Sequence, residues 1–327
     1  MLLLTAEDVR AVLDPAGALA AIEEALAQEA KGSTRSPART TFDGEHGWFR
    51  VMPGALLGGD GRAVAGAKVM HLARGHGISY LLLLYDEPTG ELLALMDASV
   101  LTQVRTGAVS AVFARRTFPD GVPVAGMYGA GFEARGQLEM IAHAIPLGRV
   151  RVYSPTPERR DAFAREMSER LGIPVEAVGE PAAAARGAPL VVLATRSPRP
   201  VAEGHWFAPS AVILSVGSTR PELREVGPGT IARAGRVIVD HKAQSLAESG
   251  DLIEALATGA LVEDNVVELS RILAGEIPAR TGPHALTIFK PSGTAAQDLA
   301  VARLTYERCR AAGRGRTVES FLTPKPR

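Results

Sequence analysis

The sequence has a single cysteine, Cys309, among 327 residues. One thiol cannot build a disulfide framework within a chain, so a reducing, cytoplasmic setting is expected. Excess charge is also absent: Lys plus Arg and Asp plus Glu each number 36. Without a basic surplus or a basic run, nothing draws the chain to nucleic acid or to an anionic membrane, and neither is expected as a partner. Long apolar runs are missing too. The stretch "YLLLLY" is far shorter than the ~20 residues that span a bilayer, and "MLLLTAEDVRAVL" lacks the basic start and apolar core of a secretion signal. His46, His71, His76, His143, His205, His241 and His284 never fall at i, i+4 or beside paired carboxylates. No metal site is therefore expected.

What is present is enough apolar chain for a large core. Hydrophobic residues make up 46%, and at ~150 residues per domain the length suggests two domains. Thr5 with Asp8 predicts a capped first helix. A second helix runs through "PAGALAAIEEALAQEAKG" and stops near Gly32. "STRSPARTTFDGEHGWFRVMPGAL" reads as turns and short strand-like pieces. "AVAGAKVMHLA", "ISYLLLLYD" and the stretch after "EPTG" read as strands that pair antiparallel, followed by a long helix containing Arg105. Past Phe118–Gly121 the rhythm becomes strand, helix, strand: "VPVAGMY", "RVRVYS", "VEAV", "PLVVLAT", "AVILSVGS" and "RVIVD". That alternation predicts a parallel sheet with helices on both faces. "LTIFK" and the helix "AAQDLAVARLTYERCRAAG" follow, Cys309 packs in that helix, and the tail "GRGRTVESFLTPKPR" is expected to be loosely ordered.

The stretch "YGAGFEARG" joins the first of these parallel strands to a helix. A dinucleotide loop needs one glycine for the tight turn, a second so that backbone can approach the pyrophosphate, and a small third residue for helix-strand contact. Gly129, Gly131 and Ala134 stand at those places. The free N–H groups and positive dipole end of the helix suit phosphate, so Gly129, Ala130, Gly131, Phe132 and Glu133 are candidate cofactor contacts. At the end of the second strand, where NAD enzymes carry Asp or Glu, the chain has Ser154. A hydroxyl does not repel a 2′-phosphate, and Ser154, Thr156 and Arg159 are candidates to meet one. Arg160 is read as solvated helix surface. NADP(H) is therefore preferred, with NAD(H) as the alternative.

The segments "SPARTTF", "GAKVMHL", "TGELLALMDASVLTQVRTGAVSA", "YGAGFEARGQL", "ATRSPRPV", "ILSVGSTRPELREV", "VIVDHKAQSLAESGDL" and "TIFKPSGTAAQDLAVARLTYERC", in this order, resemble the ornithine cyclodeaminase/mu-crystallin family over nearly the full length. The resemblance implies an α/β fold in which a Rossmann domain (119–288) is inserted between two parts of an α+β substrate and dimerisation domain (1–118 and 289–327). It implies a homodimer that handles small imino or amino acids. It puts substrate carboxylate on Arg39, Lys68 and Arg105, and adds Thr195, Val216 and Ser218 to the cofactor side. Arginine offers a carboxylate a bidentate fork. Lys68, Arg105 and Asp298 are the candidate catalytic residues. For Asp298 the sequence alone slightly favours helix-dipole stabilisation over a ligand contact. Met52, with Trp48 and Phe49, is a candidate wall for an apolar substrate pocket, with core or dimer contact as the alternative.

Departures from the family pattern narrow the reaction. Cyclodeaminases carry V-G-G-D after the fifth Rossmann strand, and its Asp is a catalytic acid/base; here "VGSTRP" places Thr219 there, which cannot serve as a carboxylate base. "VGSTRPELRE" resembles the ketimine reductase branch instead. Reducing a preformed cyclic imine needs only a protonated nitrogen and a hydride from NAD(P)H, with Lys68 or water as the acid. The expected activity is reduction of cyclic 2-imino carboxylates such as Δ1-pyrroline-2-carboxylate. Alternatives are an alanine or N-alkyl amino acid dehydrogenase, an ornithine cyclodeaminase, and a non-catalytic NADPH-binding protein. Pro155 replaces an arginine that meets the 2′-phosphate in mu-crystallin-like sequences, and Pro291 replaces a common serine.

Overall fold

The computed structural model describes residues 1–59, 61–319 and 322. The chain divides into two compact units, Met1–Arg105 with Thr294–Arg327, and Thr106–Gly293. The helix Ser99–Thr117 begins in the first unit and continues in the second.

In the first unit an eight-stranded sheet runs in the order Arg316–Thr317, Leu2–Leu4, Leu92–Asp97, Gly77–Asp86, Val64–Ala73, Gly47–Leu56 and Thr34–Arg35, with Thr40–Gly44 also paired to Gly47–Leu56. The long central strands pair antiparallel, Met52 opposite Lys68 and Lys68 opposite Leu82. This matches the pairing expected from sequence. The difference lies in Gly47–Leu56, one ten-residue strand where short pieces were expected. Pro53 and Gly54 break its pattern, but full-length pairing with the ten-residue strand Val64–Ala73 holds it extended.

Alternation places Met52, Lys68 and Leu82 on one face of the sheet. The helix Ala295–Ala311 packs on that face, beside the helix Pro15–Ala30. Close approach requires glycine. A Cβ at Gly54 would lie 2.7 Å from the Ala295 Cβ, and one at Gly66 would lie 2.9 Å from a Leu299 methyl. Thr294 and Gln297 form a capping box at the start of this helix, and Ser36 Oγ accepts the Ala296 N–H at 3.1 Å. Thr5 and Asp8 form the expected box at the first helix. Cys309 is buried, as expected. Of the tail, Arg316–Thr317 pairs with Leu2–Leu4; residues 320, 321 and 323–327 lie outside the described residues.

The second unit is built on eight strands, all parallel, in the order Val175–Ala177, Val150–Tyr153, Ala125–Tyr128, Leu190–Leu193, Val212–Ser215, Leu286–Lys290, Ala234–Val239 and Val266–Glu268. Its central strands are buried throughout, as near-continuous Val, Ile and Leu runs require. The chain moves outward one way from Ala125–Tyr128, then returns to its other side at Leu190–Leu193. This reversal makes a crevice at the carboxyl ends of those two strands, where doubly wound folds bind nucleotides.

Candidate active site

Two sites emerge, one in each unit. In the first unit, Lys68 and Asp298 are each 1% exposed, and Arg105 is 6% exposed. Lys68 Nζ donates to Asp298 Oδ1 at 2.8 Å, and Arg105 Nε donates to the same oxygen at 2.7 Å. Three distant segments build this triad: a sheet strand, the first turns of the helix Ser99–Thr117, and the first turn of the helix Ala295–Ala311. Asp298 thus does more than face a helix dipole, because it bridges two cations. Its other oxygen, Oδ2, is buried and accepts no hydrogen bond among the described residues. Arg39 is also buried, in the segment that Ser36 ties to the start of the last helix. Met52 is buried beside Lys68.

Burial lowers the Lys68 pKa from 10.5 to about 7; Arg105 and Arg39 add to the fall, and Asp298 opposes it. Burial alone would raise the Asp298 carboxyl, but Arg105 and Lys68 outweigh it and hold the group below its ordinary value. Lys68 is therefore poised near neutrality, where a proton donor works best.

In the second unit, Gly129 follows the strand Ala125–Tyr128 with φ +105°. A Cβ there would lie 2.3 Å from the Ala194 carbonyl, while one at Gly131 would meet open space. The first glycine is thus required by the fold and the second leaves room for a ligand. The helix Phe132–Ala144 has Gly131 at its N-cap, with no side-chain cap. Ala134 is fully buried. These features fit a pyrophosphate at the helix start. Phe132 is exposed, and Glu133 stands in the first helical turn. Sequence reading missed Arg135, whose Nη1 donates to the carbonyls of Ala130 and Gly131 and so braces the loop.

At the second strand end Ser154 is buried, Thr156 is the N-cap of the next helix, and Arg159 is exposed. It is Arg160, read from sequence as solvated surface, that turns back. Its Nη1 donates to the Ser154 carbonyl at 3.3 Å, and its guanidinium lies 5.9 Å from the Tyr153 ring centre. Val216 is buried. Thr195 donates through N and Oγ1 to Glu225, and Ser218 Oγ donates to Asp251. Neither carboxylate was anticipated from sequence.

The second unit is a Rossmann-type dinucleotide-binding fold, with its glycine loop at the switch point of the sheet. The chain belongs to the ornithine cyclodeaminase/mu-crystallin family, whose sequence profile matches residues 1–313. It is 30% identical over 326 residues to a Δ1-pyrroline-2-carboxylate reductase of Bacillus cereus, covering 98% of this chain and 100% of that one. It is 32% identical over 316 residues to the ketimine reductase mu-crystallin of Mus musculus, covering 93% and 96%. Among solved structures it is similar to Δ1-pyrroline-2-carboxylate reductase of Thermococcus litoralis in complex with NADH and L-proline. That match has a TM-score of 0.90, 31% identity, and coverage of 97% and 100%.

Proposed function

We propose that the protein is an NAD(P)H-dependent reductase of cyclic 2-imino carboxylates, such as Δ1-pyrroline-2-carboxylate, yielding L-amino acids. The observation that carries this reading is the buried Lys68–Asp298–Arg105 triad. The named activities of the relatives support it.

Arg105 Nε is committed to Asp298, which fixes the guanidinium plane and leaves the terminal nitrogens as a fork for the substrate carboxylate. Arg39 adds a second positive charge for that anion. Lys68 gives a proton to the imine nitrogen, which makes C2 electrophilic. Asp298 Oδ2 offers an acceptor for the new N–H, whose positive charge it also balances. Met52 and Leu82 keep water from the lysine. When bound, the reduced nicotinamide supplies the hydride that C2 accepts. Gly129, Ala130, Gly131, Phe132 and Glu133 would hold its pyrophosphate, and Ser154, Thr156 and Arg159 its adenosine ribose. Ser154 in place of an acidic residue supports NADP(H), and Arg160 beside it adds positive charge. Thr195, Val216 and Ser218 would frame the nicotinamide half.

A homodimer belongs to the same proposal. The sheet face opposite Lys68 carries Val51, Val69 and Leu81 in register, with Phe42 paired to Phe49. Phe42 and Leu81 are exposed, and such a face favours a partner. Cytoplasmic residence, expected from the lone cysteine, is part of the proposal as well; among the described residues no helix is long and apolar enough to cross a membrane.

The test is cofactor oxidation with Δ1-pyrroline-2-carboxylate, using NADPH and NADH, beside pyruvate plus ammonia or methylamine. Turnover of the cyclic imine is the expected result. Turnover only with pyruvate and an amine would replace this reading by an amino acid dehydrogenase. Binding of NADPH without any turnover would replace it by a ligand-binding role.

A further inference from the structure

A second buried network lies in the second unit, at the carboxyl ends of the strands Leu190–Leu193 and Val212–Ser215. Glu225 is fully buried. Its Oε1 accepts Thr195 N at 2.6 Å and Thr195 Oγ1 at 2.8 Å; its Oε2 accepts Gly217 N at 2.7 Å and lies 2.9 Å from Ser215 Oγ. Asp251 Oδ1 accepts the Glu225 and Val226 N–H groups at 2.7 and 3.2 Å. Its Oδ2 accepts Ser218 Oγ and lies 3.0 Å from Ser215 Oγ. One carboxylate therefore pins the backbone after two adjacent strands, and a second pins the first. In a dinucleotide fold the first three strands serve the adenosine half, so these two serve the nicotinamide half.

Proton counting constrains the network. Ser215 has one hydroxyl proton and stands between two carboxyl oxygens, so it can donate to only one of them. A proton on the other carboxyl lets that group donate to Ser215 in turn and satisfies both contacts. Asp251 lies in the first turn of the helix Gly250–Ala257. Glu225, whose pKa burial raises, is the member assigned the proton. Buried Lys290 donates through Nζ to the Ser215 carbonyl at 2.9 Å, and its charge acts on Glu225 against the effect of burial. Arg224 and Glu254 pair with each other, and buried Asp240, beside the Lys290 strand, accepts the N–H groups of Ser292 and Gly293. Burial raises the Glu225 pKa to about 7, with Asp251 adding to the rise and Lys290 opposing it.

We propose that Glu225 and Asp251 form a carboxyl pair that shares one proton through Ser215, that Glu225 is the positioning residue for the nicotinamide half of the cofactor site, and that the pair couples its proton to the redox state of the cofactor. This rests on the second unit binding a nicotinamide nucleotide. An oxidised nicotinamide ring is cationic and a reduced one is neutral. The oxidised form therefore favours ionised Glu225, and NAD⁺ should gain affinity relative to NADH as pH rises through neutrality.

Infrared difference spectra of the cofactor-free protein between pH 6 and pH 8 test the pair. A carboxylic acid C=O band present at pH 6, lost at pH 8 and missing in Glu225→Gln is expected; its absence from the wild type overturns the shared proton. Fluorescence titration of NAD⁺ and NADH at the same pH values tests the coupling. The ratio Kd(NAD⁺)/Kd(NADH) should fall at least ~3-fold from pH 6 to pH 8 in the wild type. It should stay constant in Glu225→Gln. A ratio that ignores pH in the wild type overturns the coupling even if Glu225→Gln does not fold, and so does one that still falls in Glu225→Gln. If neither nucleotide binds, the cofactor reading itself fails and the positioning role goes with it, while the infrared band still decides whether the pair exists.

Discussion

Replacing Asp298 by asparagine keeps the shape of the triad and removes its only anion. At an effective dielectric of ~20, unit charges 2.8 Å apart attract by about 6 kcal/mol. Burial offsets much of that, yet retaining even a quarter of it corresponds to about one pKa unit. Asp298 raises the Lys68 pKa, while Arg105 and Arg39 lower it. Its loss leaves only burial and the two arginines acting on the lysine, so Lys68 must fall below about 7. If it falls by one unit, the protonated fraction at pH 7 drops from about a half to about a tenth. The assay is kcat against pH with saturating cyclic imine and NADPH. The expected result is a kcat about 5-fold lower at pH 7 that recovers toward pH 5.5, with the alkaline limb moved down by a unit or more. A folded Asp298→Asn enzyme whose pH limb stays in place would refute Lys68 as the proton donor and Asp298 as the group that tunes it.

Arg105→Ala should lower kcat/KM for imino acids by at least ~10²-fold, if the carboxylate fork contributes about 2.7 kcal/mol; steady-state kinetics on folded protein would show whether it does. Lys68→Met should alter the pH dependence of stability. The Lys68 pKa is depressed, so between about pH 7 and 10.5 the unfolded chain holds a proton that the folded chain does not, and wild-type stability gains with rising pH across that window. The stability of Lys68→Met relative to wild type should therefore decline from pH 7 to pH 10, which denaturant unfolding can follow. Ser154→Asp should weaken NADPH binding by ~10-fold or more while sparing NADH, because a carboxylate would face the 2′-phosphate; equal losses for both cofactors would remove Ser154 from that contact.

Much of the fold was legible because its signals are local. Strand and helix periods, turn residues and the spacing of Gly129, Gly131 and Ala134 each lie within a few residues. Arg39, Lys68 and Arg105 were singled out through family resemblance, and Lys68 also because an apolar strand surrounds it. The pairings were not legible. Asp298 meets partners 193 and 230 residues away, and an acidic residue in a first helical turn already has a sufficient local explanation. Glu225 and Asp251 were missed for a related reason. Nothing local in "RPELREV" or "ESGDL" marks a buried carboxylate, and only the folded chain buries one from each among backbone N–H groups. The strand Gly47–Leu56 reads as fragments because Pro53 and Gly54 lower local strand propensity, which full-length pairing with Val64–Ala73 overrides.

The last helix of the first unit has a consequence for how the protein is made. Asp298 and the capping box at Thr294 leave the ribosome after the whole of residues 106–293, so Lys68 and Arg105 exist for many seconds at ~5–20 residues per second without the carboxylate that joins them. The inserted unit is continuous in sequence and can fold during that wait. A folded insert also replaces a long flexible loop by a short effective one, which lowers the entropic cost of bringing the two halves of the outer unit together. The order of synthesis thus has the nucleotide fold forming before the Lys68–Asp298–Arg105 triad closes, and a ribosome stalled before residue 294 would carry the former without the latter.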